Sequence, residues 1–280
     1  MNILPSYNEY FSLDTVTTAL NTATLYLGGC LAGFVWGQLT DVIGRRPSLF
    51  WAAILTLIAV ILQTAAQNVG MFVFARILIG FGTTASAITG PAYLAETLPW
   101  QQRAWGLGIF NDFYYVGGLI AAGVTYGTAD IDGTWSWRLP SLLQGIFSLI
   151  CIIILPFLPE SPRWLVSQGR KDEALSVLAQ TNARGDQTDE IVLVQFKEIC
   201  DTLEFEKQDE AQLSLKQILR NKGARKRLII TTTCAVFSTL AGNIIASYYL
   251  GSMLGNAGIT DTTTQLQIVS SHCSIPHPAR

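Results

Sequence analysis

The sequence predicts an all-α membrane protein: a bundle of about six transmembrane helices. Two observations carry this. Only 14% of the 280 residues are charged, against about 25% in a soluble domain. Six long apolar stretches, at about 18–39, 48–67, 70–92, 104–127, 138–158 and 228–255, are separated by short polar pieces. A helix that crosses the roughly 30 Å hydrocarbon layer needs about 20 mostly apolar residues. Inside lipid every backbone polar group must find a partner, which leaves helices or closed barrels. These runs are too long and too continuous for barrel strands.

Taken in order, the first stretch, LNTATLYLGGCLAGFVW, sets Gly29, Gly33 and Gly37 four residues apart on one helix face. Such small-residue spacing lets helices approach closely in lipid. The polar turn GQLTDVIGRRP follows. The third stretch repeats the spacing with Gly82, Ser86 and Gly90, and places Arg76 near its start. The fourth holds Gly106, Gly108, Gly117, Gly118 and Gly123, with Asn111 and Asp112 about two turns in; the fifth has Gln144 in its second turn. Segment 159–227 is polar. KDEALSVLAQT and IVLVQFKEICDTLEFEKQDEAQ have helical apolar spacing, with GRKDEA and ARGDQTDE as turns, and LSLKQILRNKGARKRL is a basic amphipathic lead into the sixth stretch. That sixth stretch carries Asn243, Tyr248 and Tyr249. Polar groups at membrane depth are expensive, so each is a functional candidate. Amides offer paired donors and acceptors and rings offer stacking faces, a set suited to a polyhydroxylated solute. Interhelical hydrogen bonding is the structural alternative for each residue taken alone.

The basic residues assign the sides. Arg45 and Arg46 fall in the first turn, Arg103 in the third, and twelve lysines and arginines in 159–227. Turns 68–69 and 128–136 have none, and the latter carries Asp130 and Asp132. The positive-inside rule then puts GQLTDVIGRRP, PAYLAETLPWQQRA and 159–227 in the cytoplasm and both chain ends outside. MNILPSYNEYFS has neither the basic start nor the apolar core of a signal peptide, so an external start is expected to need a further span upstream.

Several classes drop out. A net charge of −2 without a basic stripe gives no reason to expect nucleic acid. Cys30, Cys151, Cys200, Cys234 and Cys273 have no CxxC or metal spacing, and His272 and His277 flank Cys273 without a fourth ligand. No nucleophile–base pair or metal set argues for an enzyme, and no cofactor is expected.

GQLTDVIGRRP resembles the G-x-x-x-D-x-x-G-R-R loop signature of the major facilitator superfamily. PAYLAETLPWQQRA, with Ala104 where the pattern ends in glycine, PESPRWLVSQGRKDEAL and WSWRLP are similar to elements of its sugar porter branch. ILPSYNEYF, TLYLGG, FYYVGGLIAAG and GNIIASYYLG are most similar to fungal lactose, cellobiose and hexose permeases. The resemblance implies a twelve-helix fold in two halves around a central solute site, of which this chain would supply helices two to seven. Segment 1–17 would be external, 18–158 the first half without its first helix, and 159–227 a cytoplasmic helical linker. Segment 228–255 would open the second half and 256–280 would be an external loop and divergent tail. MNILPSYNEYF resembles the loop after the family's first helix, so Met1 reads as internal, and VSSHCSIPHPAR departs from the apolar eighth helix.

By the same resemblance, Asp41, Gly44, Arg45, Arg46, Glu96, Arg103, Glu160 and Arg163 form a conformational latch that pairs charges across helix ends and between halves. Asn111, Gln144, Thr239, Asn243, Tyr248 and Tyr249 are the candidates for sugar contact. Asn111 and Thr239 both stand where the family usually has glutamine. Arg76 matches the arginine that pairs with an acid on the first helix in proton-coupled members, an acid without counterpart here. The implied activity is sugar transport by alternating access, as symport with protons or as facilitated diffusion, in a multi-pass protein of the plasma membrane. A non-transporting sugar sensor and a truncated, inactive transporter chain are the alternatives. The expected partners are a mono- or disaccharide, protons and the lipid bilayer.

Overall fold

The computed structural model describes residues 10, 15–128, 131, 133–208, 222–241, 249–250, 253–258, 264–265 and 268. Among them the regular structure is helical: α1 (Thr15–Ile43), α2 (Arg45–Thr64), α3 (Val69–Thr97), α4 (Trp100–Thr128), α5 (Trp135–Ile154), α6 (Pro162–Ser167), α7 (Lys171–Asn182), α8 (Glu190–Gln208) and α9 (Lys222–Leu240). Five helical segments are long and apolar enough to cross a membrane: Ala19–Ile43, Arg45–Thr64, Val69–Thr97, Trp100–Thr128 and Trp135–Phe157. They match the first five apolar stretches. The sixth stretch begins within α9, and Asn243 and Tyr248 lie outside the described residues, as do Asp130, Asp132, Cys273 and both histidines.

The spans run longer than a membrane requires. A helix of 29 residues is about 44 Å long, so α1, α3 and α4, each 29 residues, carry their ends beyond the hydrocarbon. Pro91 lies inside α3 and Pro140 inside α5. Each removes a backbone donor, a defect that neighbouring helices accommodate in a membrane bundle.

Helix α3 is the hub. It packs against α1 and α2 along most of its length and touches α4, while α2 also packs on α5 and α5 on α4. Three glycines let α3 do this. A Cβ on Gly80 would overlap the Leu25 carbonyl of α1, and one on Gly28 would overlap the Ile77 carbonyl in return. A Cβ on Gly82 would collide with Thr56 of α2, and one on Gly90 would lie 3.0 Å from the Phe110 ring of α4. Thr40 and Thr89 add a buried hydroxyl contact of 3.1 Å between α1 and α3.

This corrects the expected glycine faces. Gly33 and Gly37 look onto open space, and the close approach runs through Gly28 and Gly29. The face that α1 turns to α3 runs instead through Gly28, Gly29, Trp36 and Thr40. Gly82 and Gly90 likewise serve different neighbours, because eight residues rotate a helix face by about 80°. On α4, Gly108, Gly117 and Gly123 also meet open space, and only Ala122 and Thr128 are buried.

The described part of the polar segment, through Gln208, folds as expected into helices with a small core of its own, and residues 209–221 lie outside the described residues. Leu165, Val166, Ala174 and Val177 pack with Phe196, Ile199 and Leu203. One turn is displaced from the sequence reading: within GRKDEA only Gly169, at φ +80°, and Arg170 precede the helix, and Lys171 already opens α7. The α7–α8 turn uses Arg184 (φ 51°) and Gly185 (φ 98°). There Asp186 accepts from the Thr188 hydroxyl at 2.7 Å and its backbone N–H at 2.9 Å. These two bonds hold its carboxyl below the usual carboxylate range.

Candidate functional site

The charged signature residues converge where the α1–α2 turn meets residues 158–164. Helix α2 begins at Arg45, and its first backbone N–H groups have no partner within the helix. Glu160 supplies one. Its carboxylate accepts from the backbone N–H of Arg45 at 3.0 Å and of Arg46 at 3.1 Å, and from that of Ser161 at 2.8 Å. An anion at a helix N-terminus also meets the positive end of the macrodipole. Gly44 makes the approach feasible: its φ of +107° favours glycine, and a Cβ there would lie 2.9 Å from Glu160 Oε2.

The Arg45 side chain turns the other way, to α3. Its Nη2 donates to Glu96 Oε1 at 3.1 Å, while Nε makes an ionic contact with Oε2 at 2.9 Å outside hydrogen-bond alignment. Both side chains are largely shielded, at 13% and 16% exposure. The neighbouring Arg45–Asp41 pair, 3.1 Å apart, has Asp41 73% exposed, and such exposed pairs contribute little. Arg46 acts through its backbone and by donating Nη1 to the Leu158 carbonyl at 3.0 Å.

Three further residues join this cluster without having been singled out from the sequence. Tyr93 donates its hydroxyl to the Pro159 carbonyl at 2.7 Å, and Trp164 donates Nε1 to the Asp41 carbonyl at 3.0 Å. Ser161 donates its hydroxyl to Glu96 Oε2 and accepts from the Trp164 backbone N–H at 3.3 Å, capping α6. The signal was present: serine followed by proline is an N-cap followed by a favoured first helical residue.

Arg103 and Arg163 do not enter the cluster's described bonds. They line an adjoining cavity of about 620 Å³ with Glu96, Trp100, Glu190 and Glu198, between the α3–α4 ends and α8. The contacts of Glu160, Tyr93, Ser161 and Trp164 join the five-span bundle to the polar segment, whereas Arg45 pairs with Glu96 and Asp41 inside the bundle.

The described sugar-contact candidates are not enclosed together. Asn111 is exposed on α4, and its amide donates back to the Leu107 carbonyl at 3.3 Å. Gln144 is exposed on α5. Thr239 is exposed on α9 and donates to the Ala235 carbonyl at 2.7 Å. Tyr249 is half-buried. Among the described residues α9 packs extensively on no other helix. At the far end of the bundle Arg76 is half-buried, its guanidinium 5.1 Å from the centre of the Phe72 ring.

These features define a multi-pass helical membrane protein whose signature charges cluster at helix ends. Solved structures give the fold: the major facilitator proton:xylose symporter XylE bound to 6-bromo-6-deoxy-D-glucose superposes with a TM-score of 0.77 at 24% identity, covering 95% of this chain and 60% of that one. The sequence model described as "Sugar (and other) transporter" matches residues 2–274, and the chain belongs to that family. Its relatives include the MFS-type transporter criB of Aspergillus cristatus, 30% identical over 84% of this chain and 51% of that protein. The high-affinity glucose transporter of Kluyveromyces lactis is 31% identical over 92% of this chain and 46% of that protein. The chain spans about half the length of these curated relatives. Membership of a transporter family agrees with the expectation that this is not an enzyme.

Proposed function

We propose that the chain forms the first half, less one helix, and the cytoplasmic linker of a sugar transporter that works by alternating access. Residues 18–158 form the half-bundle, 159–227 the linker and 228–255 the opening of the second half. The observation that carries this is the joining of the GQLTDVIGRRP turn, Glu96 and the PESPRW stretch in one bonded cluster. Rocking of two half-bundles about a central site needs such groups at the cytoplasmic ends, where bonds can form and break without a charge entering lipid. Asp41, Gly44, Arg45, Arg46, Glu96 and Glu160 are the latch, and Arg103 and Arg163 face its cavity. Positive-inside asymmetry supports a cytoplasmic side for that end.

The solute is a mono- or disaccharide. Asn111, Gln144, Thr239, Asn243, Tyr248 and Tyr249 offer it hydrogen bonds and ring faces once opposed by a second half. The exposure of Asn111 and Gln144 on the half-bundle is what such a shared site requires. The relatives' names, among them glucose and inositol transporters, support this class. Proton coupling, with Arg76 as the cationic partner, draws on the proton:xylose symporter likeness. The plasma membrane is the proposed location.

The test is sugar uptake in a transport-deficient host that expresses this chain alone or extended to the full length of its relatives. Uptake is expected only from the extended protein, and Arg76→Ala there should abolish pH-driven accumulation. Failure of the extended protein to take up any sugar would overturn the transport reading in favour of a sensor.

A further inference from the structure

The end of the bundle opposite the latch is closed by an aromatic and guanidinium stack. Trp137, on the first turn of α5, is fully buried together with Phe72 and Ala66. Phe72 of α3 meets its ring edge-on at 6.2 Å, and Ala66 comes from the α2–α3 turn. Tyr10, five residues ahead of α1 in the chain, lies against Trp137 on another side. Its ring centre lies 5.6 Å from that of Trp137 at 45°. Arg138 fastens the arrangement. Its guanidinium lies 5.2 Å from the Trp137 ring and 5.7 Å from the Tyr10 ring, and Nη2 donates to the Tyr10 hydroxyl at 3.4 Å.

Tyr10 therefore touches an element that α1 does not. Helix α1 packs on α3, α5 packs on α2, and α1 and α5 share no extensive contact. Tyr10 itself remains 38% exposed. It stands between water and a tryptophan that has none, with the ring pair and the cation–π contact holding it there.

We propose that Tyr10 is a clasp: held on the start of α5 by Trp137 and Arg138, it covers Trp137 and keeps the Ala66 end of the bundle dry. The clasp rests on this packing and stands whichever side of the membrane that end occupies.

Thiol labelling of the full chain in membranes tests it, with the five native cysteines replaced. Ala66→Cys reports on the cluster beneath Tyr10. Ala59→Cys, equally buried but two turns deeper in α2, reports on the bundle as a whole. A membrane-impermeant maleimide should label Ala66→Cys slowly while Tyr10 is present and roughly tenfold faster with Tyr10→Ala, a factor set by loss of one aromatic pair. Tyr10→Phe, which keeps the ring and loses the hydroxyl bond, should give a rise of about two- to threefold. Ala59→Cys should stay protected throughout. Equal labelling of Ala66→Cys with and without Tyr10→Ala would overturn the clasp. If Tyr10→Ala exposes both cysteines alike, Tyr10→Phe decides: labelling of Ala66→Cys unchanged from Tyr10 refutes the proposal, and a selective rise sustains it. Applying the reagent from one side and then the other reads the orientation separately.

Discussion

Removing the Glu160 carboxylate should release the polar segment from the bundle while leaving both folded. Glu160 accepts three backbone N–H bonds, two of them from the otherwise unpartnered start of α2. A hydrogen bond to a charged group contributes ~1.5–3 kcal/mol. The three share one half-buried carboxylate, and water replaces part of what is lost, so Glu160→Ala should cost about 3 kcal/mol of local stability rather than the sum. At 1.4 kcal/mol per decade that is roughly a hundredfold rise in the open population. Tryptic cleavage after Arg163 reads it directly, because Arg163 lies in α6 beside buried Leu165 and Val166, and cleavage of a transiently opened helix follows its open population. Glu160→Gln keeps an acceptor oxygen without the charge and should fall near tenfold. Asp41→Ala, which removes only an exposed ion pair, should stay within about twofold. If Glu160→Ala cleaves no faster than Asp41→Ala, the carboxylate does not hold the segment and the cluster is only a crowded corner.

Two further outcomes follow from the geometry. Gly80→Ala puts a Cβ into the Leu25 backbone, which cannot swing aside as a side chain would. It should lower the thermal midpoint of the detergent-solubilised chain by the equivalent of about 2–3 kcal/mol, whereas Gly33→Ala, facing open space, should change it by less than about 0.5 kcal/mol. Asp186 has a depressed carboxyl pKa through its two Thr188 bonds. Its contribution to the α7–α8 turn is therefore present above the unfolded carboxylate value of about 3.9 and is lost as pH falls through the lower folded value. Hydrogen exchange of the Thr188 amide should quicken in that acid range, and Asp186→Asn should remove the pH dependence.

The spans were legible in the sequence because lipid imposes one rule on every residue of a run: backbone groups must pair within the helix. Five stretches accordingly match helices to within a few residues. The helix faces were harder to read. Gly29, Gly33 and Gly37 obey the packing pattern, yet Gly33 and Gly37 meet nothing within 4 Å, since spacing along one chain does not say where a second helix crosses it. The latch charges were named individually by the resemblance of their motifs to the sugar porter pattern. Their pairing was not, because Glu160 works as a helix cap over 114 and 115 residues of sequence separation. Tyr93 and Trp164 escaped for a related reason: each bonds a backbone carbonyl, and a carbonyl acceptor leaves no mark on residue identity.

That last feature bears on how the cluster can act. Of its contacts, the ones that set position are directed at backbone: Glu160 on the start of α2, Trp164 on the Asp41 carbonyl, Tyr93 on the Pro159 carbonyl, Arg46 on the Leu158 carbonyl. They fix where residues 158–164 sit against the α1–α2 turn and depend little on which rotamer a partner adopts. The shielded Arg45–Glu96 pair is different in kind, since it links α2 to α3 through two side chains, and Ser161 reaches the same Glu96 carboxylate from α6. Glu96 also borders the cavity that holds Arg103 and Arg163. A carboxylate shared in this way is the one member of the cluster that could change partners without unfolding a helix end. If these helix ends rearrange during the proposed transport cycle, the exchange should therefore run through Glu96, with the Glu160 cap remaining closed and carrying α6 along with the bundle.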